Sequence, residues 1–255
     1  MQSRTVRTFN AYHLGDNLVH LHFMRKVALA NPDRQFIHYA QNQYNWQLRP
    51  LVEDIPNLKL DDFGYMMPSD SINAWRGANN FWYQSAIRND FVEFHLKEWF
   101  PHLCERMEVD NPMREPKDML FDYPAIKEAD IYETFDVLII NSPPSSNQFR
   151  GYDLPKLNSL SERLLARGMM VCETGTGIPQ PFKSTTQVGS LSLHCHTVLM
   201  VSTGPSWTTF NVWNQDSIKH RIILLDNERV NLAPNSFHCG TIAEAEEVLK
   251  QAGLL

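Results

Sequence analysis

The chain has 255 residues, enough for one large domain or for two domains of roughly 100 to 130 residues each. Its composition is 43% hydrophobic, 11% aromatic and 20% charged, which excludes disordered, fibrous and disulfide-scaffold proteins. The net charge is −6 and no block of Lys and Arg stands out, which argues against a nucleic-acid partner.

The N-terminal residues lack the apolar core of a secretory signal, and no apolar run approaches ~18 residues. The four cysteines are scattered and form no C-x-x-C pair, a pattern that favours free thiols in a reducing compartment. We therefore expect no integral membrane segment and a cytoplasmic location.

The first half of the chain reads as strand, helix, strand and strand, at residues 5–12, 17–31, 34–40 and 57–63. Residues 13–16 then form a strand-to-helix loop, in which Asp16 can accept hydrogen bonds from the start of the helix. This order predicts a parallel β-α-β unit.

Residues 75–109 are aromatic and have helical spacing, which predicts one or two helices. Residues 110–133 combine three prolines with many charges, a composition typical of a connector. We place a domain boundary there, between residues 118 and 119.

The alternation restarts in the second half. Strands are predicted at residues 136–141, 169–173, 196–202 and 221–226, with a helix that ends at Gly168 and a final helix that begins at Thr241. The prediction is an α/β fold with two Rossmann-like domains that face one another across a cleft.

Ligands of open α/β sheets bind where the strands end, so the loops after the strands are the candidate sites. Asp16 is a candidate general base for an acceptor hydroxyl, and the alternative is a helix cap. Its neighbours His13, Gly15 and Asn17 are candidates for acceptor binding.

The segment Ser202-Thr203-Gly204-Pro205-Ser206 follows a predicted strand, with proline at the first position of a helix and hydroxyls on both sides. Free N–H groups at such a helix start bind anions, so the segment is a candidate diphosphate site. The alternative is a capped core helix.

Further candidates for donor binding are Asn141, Ser142, Glu173 and Thr174, which follow two other predicted strands. The last two precede a G-x-G segment that lacks the third glycine of a dinucleotide fingerprint, so a simple turn is the alternative.

Trp75 and Arg76 are candidates for stacking on an acceptor sugar, with an aromatic core as the alternative. The histidine pairs lack a second ligand cluster, and we expect no metal site.

Three short segments together resemble the heptosyltransferase-type glycosyltransferases, which have the GT-B architecture. They are His-Leu-Gly-Asp-Asn-Leu at 13–18, Asn-Pro-Asp-Arg-Gln-Phe-Ile at 31–37 and Ser-Thr-Gly-Pro-Ser at 202–206. The resemblance implies that Asp16 is the acceptor base and that Thr203, Gly204, Pro205 and Ser206 hold the donor diphosphate. It likewise implies that residues 1–118 form an acceptor-binding domain and residues 119–255 a nucleotide-sugar-binding domain.

The predicted function is metal-independent transfer of a sugar from a nucleoside-diphosphate donor to a hydroxyl acceptor, such as a glycan or glycolipid, without a cofactor. One alternative is a nucleotide-sugar epimerase of similar fold. The other is a catalytically silent protein that binds nucleotide-sugars or acts as a scaffold.

Overall fold

The computed structural model describes residues 5–62, 79–80, 90–127, 131, 133–144, 148–175, 184–226 and 229–255. The chain divides into two compact units, Met1–Ala125 and Ile126–Leu255. Each unit is built on a parallel β-sheet, so the predicted α/β class is confirmed. The domain boundary between residues 118 and 119 stays a prediction.

The first unit contains a four-stranded parallel sheet with the order β3-β2-β1-β4. In chain order its elements are β1 (Thr5–Phe9), α1 (Leu14–Ala30), β2 (Gln35–Ala40), α2 (Asn42–Leu48), β3 (Leu58–Asp62) and β4 (Asn79–Asn80). They are followed by α3 (Phe91–Phe94), a π-helical turn (His95–Trp99), α4 (Phe100–Met107), a 3-10 turn (Pro116–Met119) and α5 (Pro124–Lys127).

Helix α1 is buried on almost every side between Asn17 and Ala28, because the segment after α4 covers the side that does not face the sheet. The hydroxyl of Tyr123 donates to the carbonyl of Leu18 at 2.9 Å, and Lys26 pairs with Asp122 at 2.6 Å. The proline-bearing segment is therefore packed structure, at least as far as Tyr123.

The second unit contains a five-stranded parallel sheet with the order β6-β5-β7-β8-β9. Its elements are β5 (Phe135–Ile140), α6 (Leu154–Ala166), β6 (Val171–Glu173), α7 (Thr185–Leu191), β7 (Cys195–Val201), α8 (Gly204–Trp207), β8 (His220–Leu224), β9 (Ser236–Cys239) and α9 (Ile242–Gln251). The central strands are continuous apolar runs, as expected for parallel strands buried on both faces. Helices α6 and α9 pack their leucines against one face of this sheet.

One prediction about a helix start is wrong, and another is confirmed. Helix α1 begins at Leu14, so Gly15 and Asp16 lie in its first turn and not in a loop. The helix predicted after Thr203 does begin there, with Pro205 in its first turn. It is the single turn α8, because its backbone continues into the hydrogen-bonded turns of Thr208 to Phe210. Helices α2 and α7 and strand β9 are elements that the sequence pattern did not predict.

Two predicted helix ends are confirmed, namely the end of α6 just before Gly168 and the start of α9 just after Thr241. The chain turns after α6 at Gly168, whose φ of +82° suits a residue without a side chain. Thr241 caps α9 by accepting from the backbone N–H of Glu244 at 3.2 Å. No helix within the described residues is long and apolar enough to cross a membrane.

Candidate functional site

The loop after β1 lies where the strand order of the first sheet reverses. Strand β1 is central, with β2 on one side and β4 on the other, and the chain leaves β1 through α1 toward β2. Such a switch point opens a crevice at the carboxyl end of the strands, where α/β proteins bind ligands. His13, Gly15, Asp16 and Asn17 all follow β1 at this edge.

Asp16 is the third residue of α1, and His13 occupies the cap position, so the alternative that Asp16 is the helix cap is wrong. Its carboxylate accepts a hydrogen bond from the backbone N–H of His13, the residue at the cap position, at 3.2 Å. Burial raises the pKa of Asp16 to about 6, although this hydrogen bond acts in the opposite direction. The result is a carboxylate near the pKa at which a general base works best.

The backbone before Asp16 is held by two buried asparagines. Asn10 accepts from the N–H of Tyr12 at 2.8 Å, and its amide nitrogen contacts His20 Nδ1. Asn17 donates to the carbonyls of Tyr12 at 3.2 Å and His13 at 2.9 Å. Asn17 is fully buried and its amide faces this backbone, so its contacts stabilise the loop. That Asn17 also contacts an acceptor stays a prediction.

Buried imidazoles lie beneath this loop. The ring of His20 lies 6.0 Å from that of His95, and the hydroxyl of Thr8 is 2.9 Å from His38 Nδ1. Burial lowers the pKa of His38 to about 3 and that of His95 to about 4, and it lowers that of His20 as well. These histidines are neutral at neutral pH and add no positive charge beneath Asp16.

Tyr44 is a neighbour of Asp16 that the sequence did not reveal. It lies in α2, which follows the strand next to β1. Burial raises the pKa of Tyr44, and the negative charge of Asp16 raises it further. Because the two residues are far apart in sequence, only the pairing of β1 with β2 brings them to one edge.

The second sheet has its own switch point, between β5 and β7. From β5 the chain passes through α6 to β6 on one side, and it then returns through α7 to β7 on the other. Ile140 pairs with Met200 in register, so the segments after β5 and β7 leave the sheet side by side. Asn141, Ser142 and the segment from Ser202 to Ser206 therefore share this edge.

The segment after β7 is a tight turn held by Ser206. The hydroxyl of Ser206 donates to the carbonyl of Thr203 at 2.7 Å, and the N–H of Thr203 points to the same hydroxyl at 3.1 Å. The N–H of Ser206 is also used within the turn, and Pro205 has none. A one-turn helix adds little macrodipole, so an anion here would depend on directed hydrogen bonds.

Beside it, the segments after β5 and β6 are packed together. Asn141 donates to the buried carboxylate of Glu173 at 3.1 Å, and Tyr152 donates to the carbonyl of Asn141 at 2.8 Å. A Cβ on Gly175 would lie only 2.1 Å from Asn141 Oδ1, so the absence of a side chain there gives Asn141 its place.

Three adjacent strands of the second sheet each end in a buried polar atom without a hydrogen-bond partner among the described residues. These atoms are Asn141 Oδ1 after β5, Thr174 Oγ1 after β6 and Thr203 Oγ1 after β7. A buried polar atom without a partner costs ~1 to 3 kcal/mol unless a ligand or water satisfies it. The edge is thus suited to a polar ligand.

The structure brings the predicted residues into two groups, one in each unit. Asp16 with His13, Gly15 and Asn17 forms the first, and the donor-binding candidates form the second. Trp75 and Arg76 lie outside the described residues. No group of three or more His, Cys, Asp or Glu residues in the described ranges is arranged to hold a metal ion.

Comparison with solved structures links this architecture to glycosyltransferases. A glycosyl transferase family 9 protein from Veillonella parvula shares 11% identity, with a TM-score of 0.56 over 99% of this chain and 90% of that one. The E. coli heptosyltransferase WaaC, solved with ADP, shares 12% identity, with a TM-score of 0.54 over 97% of this chain and 98% of that one. This chain has the fold of these glycosyltransferases. The resemblance predicted from the three short segments is confirmed at the level of the fold.

A third solved structure is longer than this chain. It is the iron-containing dodecameric glycosyltransferase TibC from enterotoxigenic E. coli, with 13% identity and a TM-score of 0.51. The match covers 93% of this chain but only 63% of TibC, so this chain spans less than two thirds of that protein. No protein-family model matches the sequence, and no curated protein matches it either.

Proposed function

We propose that the protein is a glycosyltransferase that moves a sugar from a nucleoside-diphosphate donor to a hydroxyl acceptor without a metal ion. The proposal includes the GT-B arrangement, with the two units as domains facing one another across a cleft. The acceptor class that we propose is a glycan or glycolipid hydroxyl, and the site of action is the cytoplasm.

The observation that carries the proposal is the position and the pKa of Asp16. The carboxylate lies at the switch point of the first sheet and is half-buried, which raises its pKa to about 6. At neutral pH it is ionised and accepts a proton more readily than an ordinary aspartate. In the proposed reaction Asp16 takes the proton of the acceptor hydroxyl while the acceptor oxygen attacks the anomeric carbon. The nucleoside diphosphate leaves with the electrons of the broken bond.

The donor site that we propose lies at the switch point of the second sheet. The hydroxyl of Thr203 and the amide of Gly204 would donate to the diphosphate, and the side chains of Asn141, Glu173 and Thr174 would contact the nucleoside. Support comes from the buried polar atoms without partners at the ends of three adjacent strands. Binding of a polar ligand would satisfy these atoms and stabilise the fold.

The test is thermal unfolding with UDP, ADP, GDP, CDP and the matching sugar nucleotides. At 100 times Kd a ligand adds ~2.7 kcal/mol, which raises the melting temperature by several degrees. The expected result is a shift with one nucleoside diphosphate and release of that diphosphate during turnover. If none of these ligands shifts the transition, the proposal fails. If a ligand binds but the protein neither transfers the sugar nor slowly hydrolyses the donor, the catalytically silent binding protein becomes the better account.

A further inference from the structure

The backbone just before Asp16 is held by a series of side-chain hydrogen bonds that ends at a histidine. Asn10 is the residue directly after β1 and is fully buried. Its side-chain oxygen accepts from the N–H of Tyr12, and its side-chain nitrogen contacts Nδ1 of His20, one turn further along α1 than Asp16. Both ends of the Asn10 amide are therefore used.

We infer that His20 is a positioning residue for Asp16, because its Nδ1 lone pair fixes the orientation of Asn10 and thereby the backbone from Tyr12 to His13. The inference deepens the proposed function, since it concerns the residue proposed as the base. An amide has one oxygen and one NH2 group, and Asn10 presents the oxygen to Tyr12 only while its nitrogen faces an acceptor. Nδ1 must therefore carry the lone pair and Nε2 the hydrogen.

The effect reaches Asp16 through two residues of backbone. Asn10 holds the N–H of Tyr12, and Asn17 holds the carbonyls of Tyr12 and His13. The N–H of His13 is the group that the Asp16 carboxylate accepts from. If the side-chain amide of Asn10 rotated by 180°, the N–H of Tyr12 would lose its acceptor. The first turn of α1 would then open to water.

The surroundings of His20 favour the neutral ring that this arrangement requires. His20 is buried, and burial lowers its pKa, with the neighbouring His95 and His38 lowering it further. His95 in turn has a ring nitrogen 2.8 Å from the carbonyl of Phe91, so it has a hydrogen-bond partner of its own. The geometry of the Asn10 contact and the burial of His20 agree on the same protonation state.

The experiment measures the pKa of Asp16 directly, by a carboxyl-carbon NMR titration of the whole protein labelled with ¹³C-aspartate. The signal of Asp16 is the one that Asp16→Asn removes. In the wild type we expect it to titrate at about 6. His20→Leu removes the acceptor, so water reaches the carboxylate and we expect its pKa to fall toward the ordinary value for aspartate. The loss of turnover should appear in kcat more than in KM.

Matched variants separate positioning from general damage. His20→Asn keeps an acceptor oxygen at the δ position, so the pKa of Asp16 and the turnover should return close to the wild type. Thr8→Val breaks the comparable buried hydrogen bond to His38, which does not hold the loop, and should leave the titration unchanged. Asn10→Ala removes both the contact with His20 and the acceptor of the Tyr12 N–H, so it gives the full fall that loss of this loop contact can produce. His20→Ala also lacks the acceptor, and it takes the place of His20→Leu if the leucine variant does not fold.

An unchanged titration of Asp16 in a folded His20→Leu or His20→Ala variant overturns the inference. An unchanged titration in Asn10→Ala overturns it as well. A fall of the same size in Thr8→Val overturns it too, because the cause would then be general loosening. The titration requires no substrate. A wild type that transfers no sugar therefore removes the proposed function, while the shift between variants still decides the role of His20.

Discussion

Each of the two parallel sheets has a switch point at its carboxyl edge, but the side chains at the two switch points differ in chemistry. At the switch point of the first sheet the half-buried carboxylate of Asp16 lies near neutral imidazoles. At the switch point of the second sheet the groups are mostly amides and hydroxyls, with buried atoms that lack partners in the described residues. The first edge is suited to accept a proton, and the second is suited to hold a polar ligand through hydrogen bonds.

Burial has a different consequence at each of the two edges. Burial at the first edge acts on an ionisable group, so it changes a pKa. At the second edge the buried atoms without partners belong to an amide and two hydroxyls, so burial there leaves hydrogen-bonding capacity for a ligand. Changes at the first edge should therefore alter turnover and pH dependence, whereas changes at the second should alter donor affinity.

The largest effect is expected from Asp16→Asn. Asn keeps the size of the side chain and can still accept from the N–H of His13, but it cannot take a proton. General-base catalysis contributes ~10² to 10⁴ in rate, or ~3 to 5 kcal/mol in the barrier. We expect turnover to fall at least ~100-fold, with nucleotide affinity unchanged, in steady-state assays and calorimetry. Transfer at close to the wild-type rate would show that Asp16 only stabilises the first turn of α1.

A smaller effect is expected at the second edge from Gly175→Ala. The new Cβ would overlap Asn141 Oδ1, so Asn141 must rotate and give up its hydrogen bond to Glu173. Forcing an extra carbon into a packed site costs ~1 to 3 kcal/mol. We expect the Kd for the nucleoside diphosphate to rise ~10-fold or more, with kcat at saturating donor little changed.

The matched control for this change is Gly240→Ala, which lies after β9 at the same edge. Among the described residues its Cβ would meet Glu244 Oε2 alone, at 3.8 Å, which is an ordinary contact. Calorimetric titration of this variant should give the wild-type affinity. Equal weakening by both substitutions would place the nucleotide elsewhere or make its binding dependent on general stability.

The ionised carboxylate of Asp16 should also lower the free energy of unfolding above pH 6, relative to a variant with a neutral residue at this position. The pKa of Asp16 is about 6 when folded and 3.8 in the reference state, so its ionisation on raising the pH disfavours folding between these values. The full shift corresponds to ~3 kcal/mol, and partial solvent access reduces this to ~1 kcal/mol. Asp16→Asn should then melt ~2 to 4 °C higher at pH 8, with the gain absent near pH 3.5.

The control carboxylate for the pH experiment lies in the second unit. Asp153 caps α6, and hydrogen bonds from Lys156 hold its pKa below the ordinary value, so its ionised form favours folding. Asp153→Asn should give no gain at pH 8 when melting curves are recorded across the same pH range. A gain for both variants would point to relief of the overall negative charge and not to burial of Asp16.

The smallest effect is expected from chelation. If directed hydrogen bonds at the second edge neutralise the leaving diphosphate, EDTA should leave turnover unchanged. The similar protein TibC is described as iron-containing, which makes the measurement informative. Loss of turnover with EDTA and its recovery with Mn²⁺, Mg²⁺ or Fe²⁺ would contradict metal independence.

The sequence by itself determined the class of fold and the segments that carry the candidate site. Apolar runs such as that of β5 predict buried parallel strands, and polar residues directly after such strands predict the ligand edge, because both signals are local. The resemblance to heptosyltransferase-type proteins likewise depended on short contiguous segments at Asp16 and Thr203.

Only the tertiary structure decided what these residues do. The sequence could not show that Asp16 lies inside the first turn of α1, since His13 takes the cap position through contacts of the loop. Nor could it show that α8 is one turn long. The raised pKa of Asp16, its neighbour Tyr44 and the contact of Asn10 with His20 all depend on burial and on pairing between strands distant in sequence. Desolvation and long-range packing are properties of the folded chain, and no local pattern encodes them.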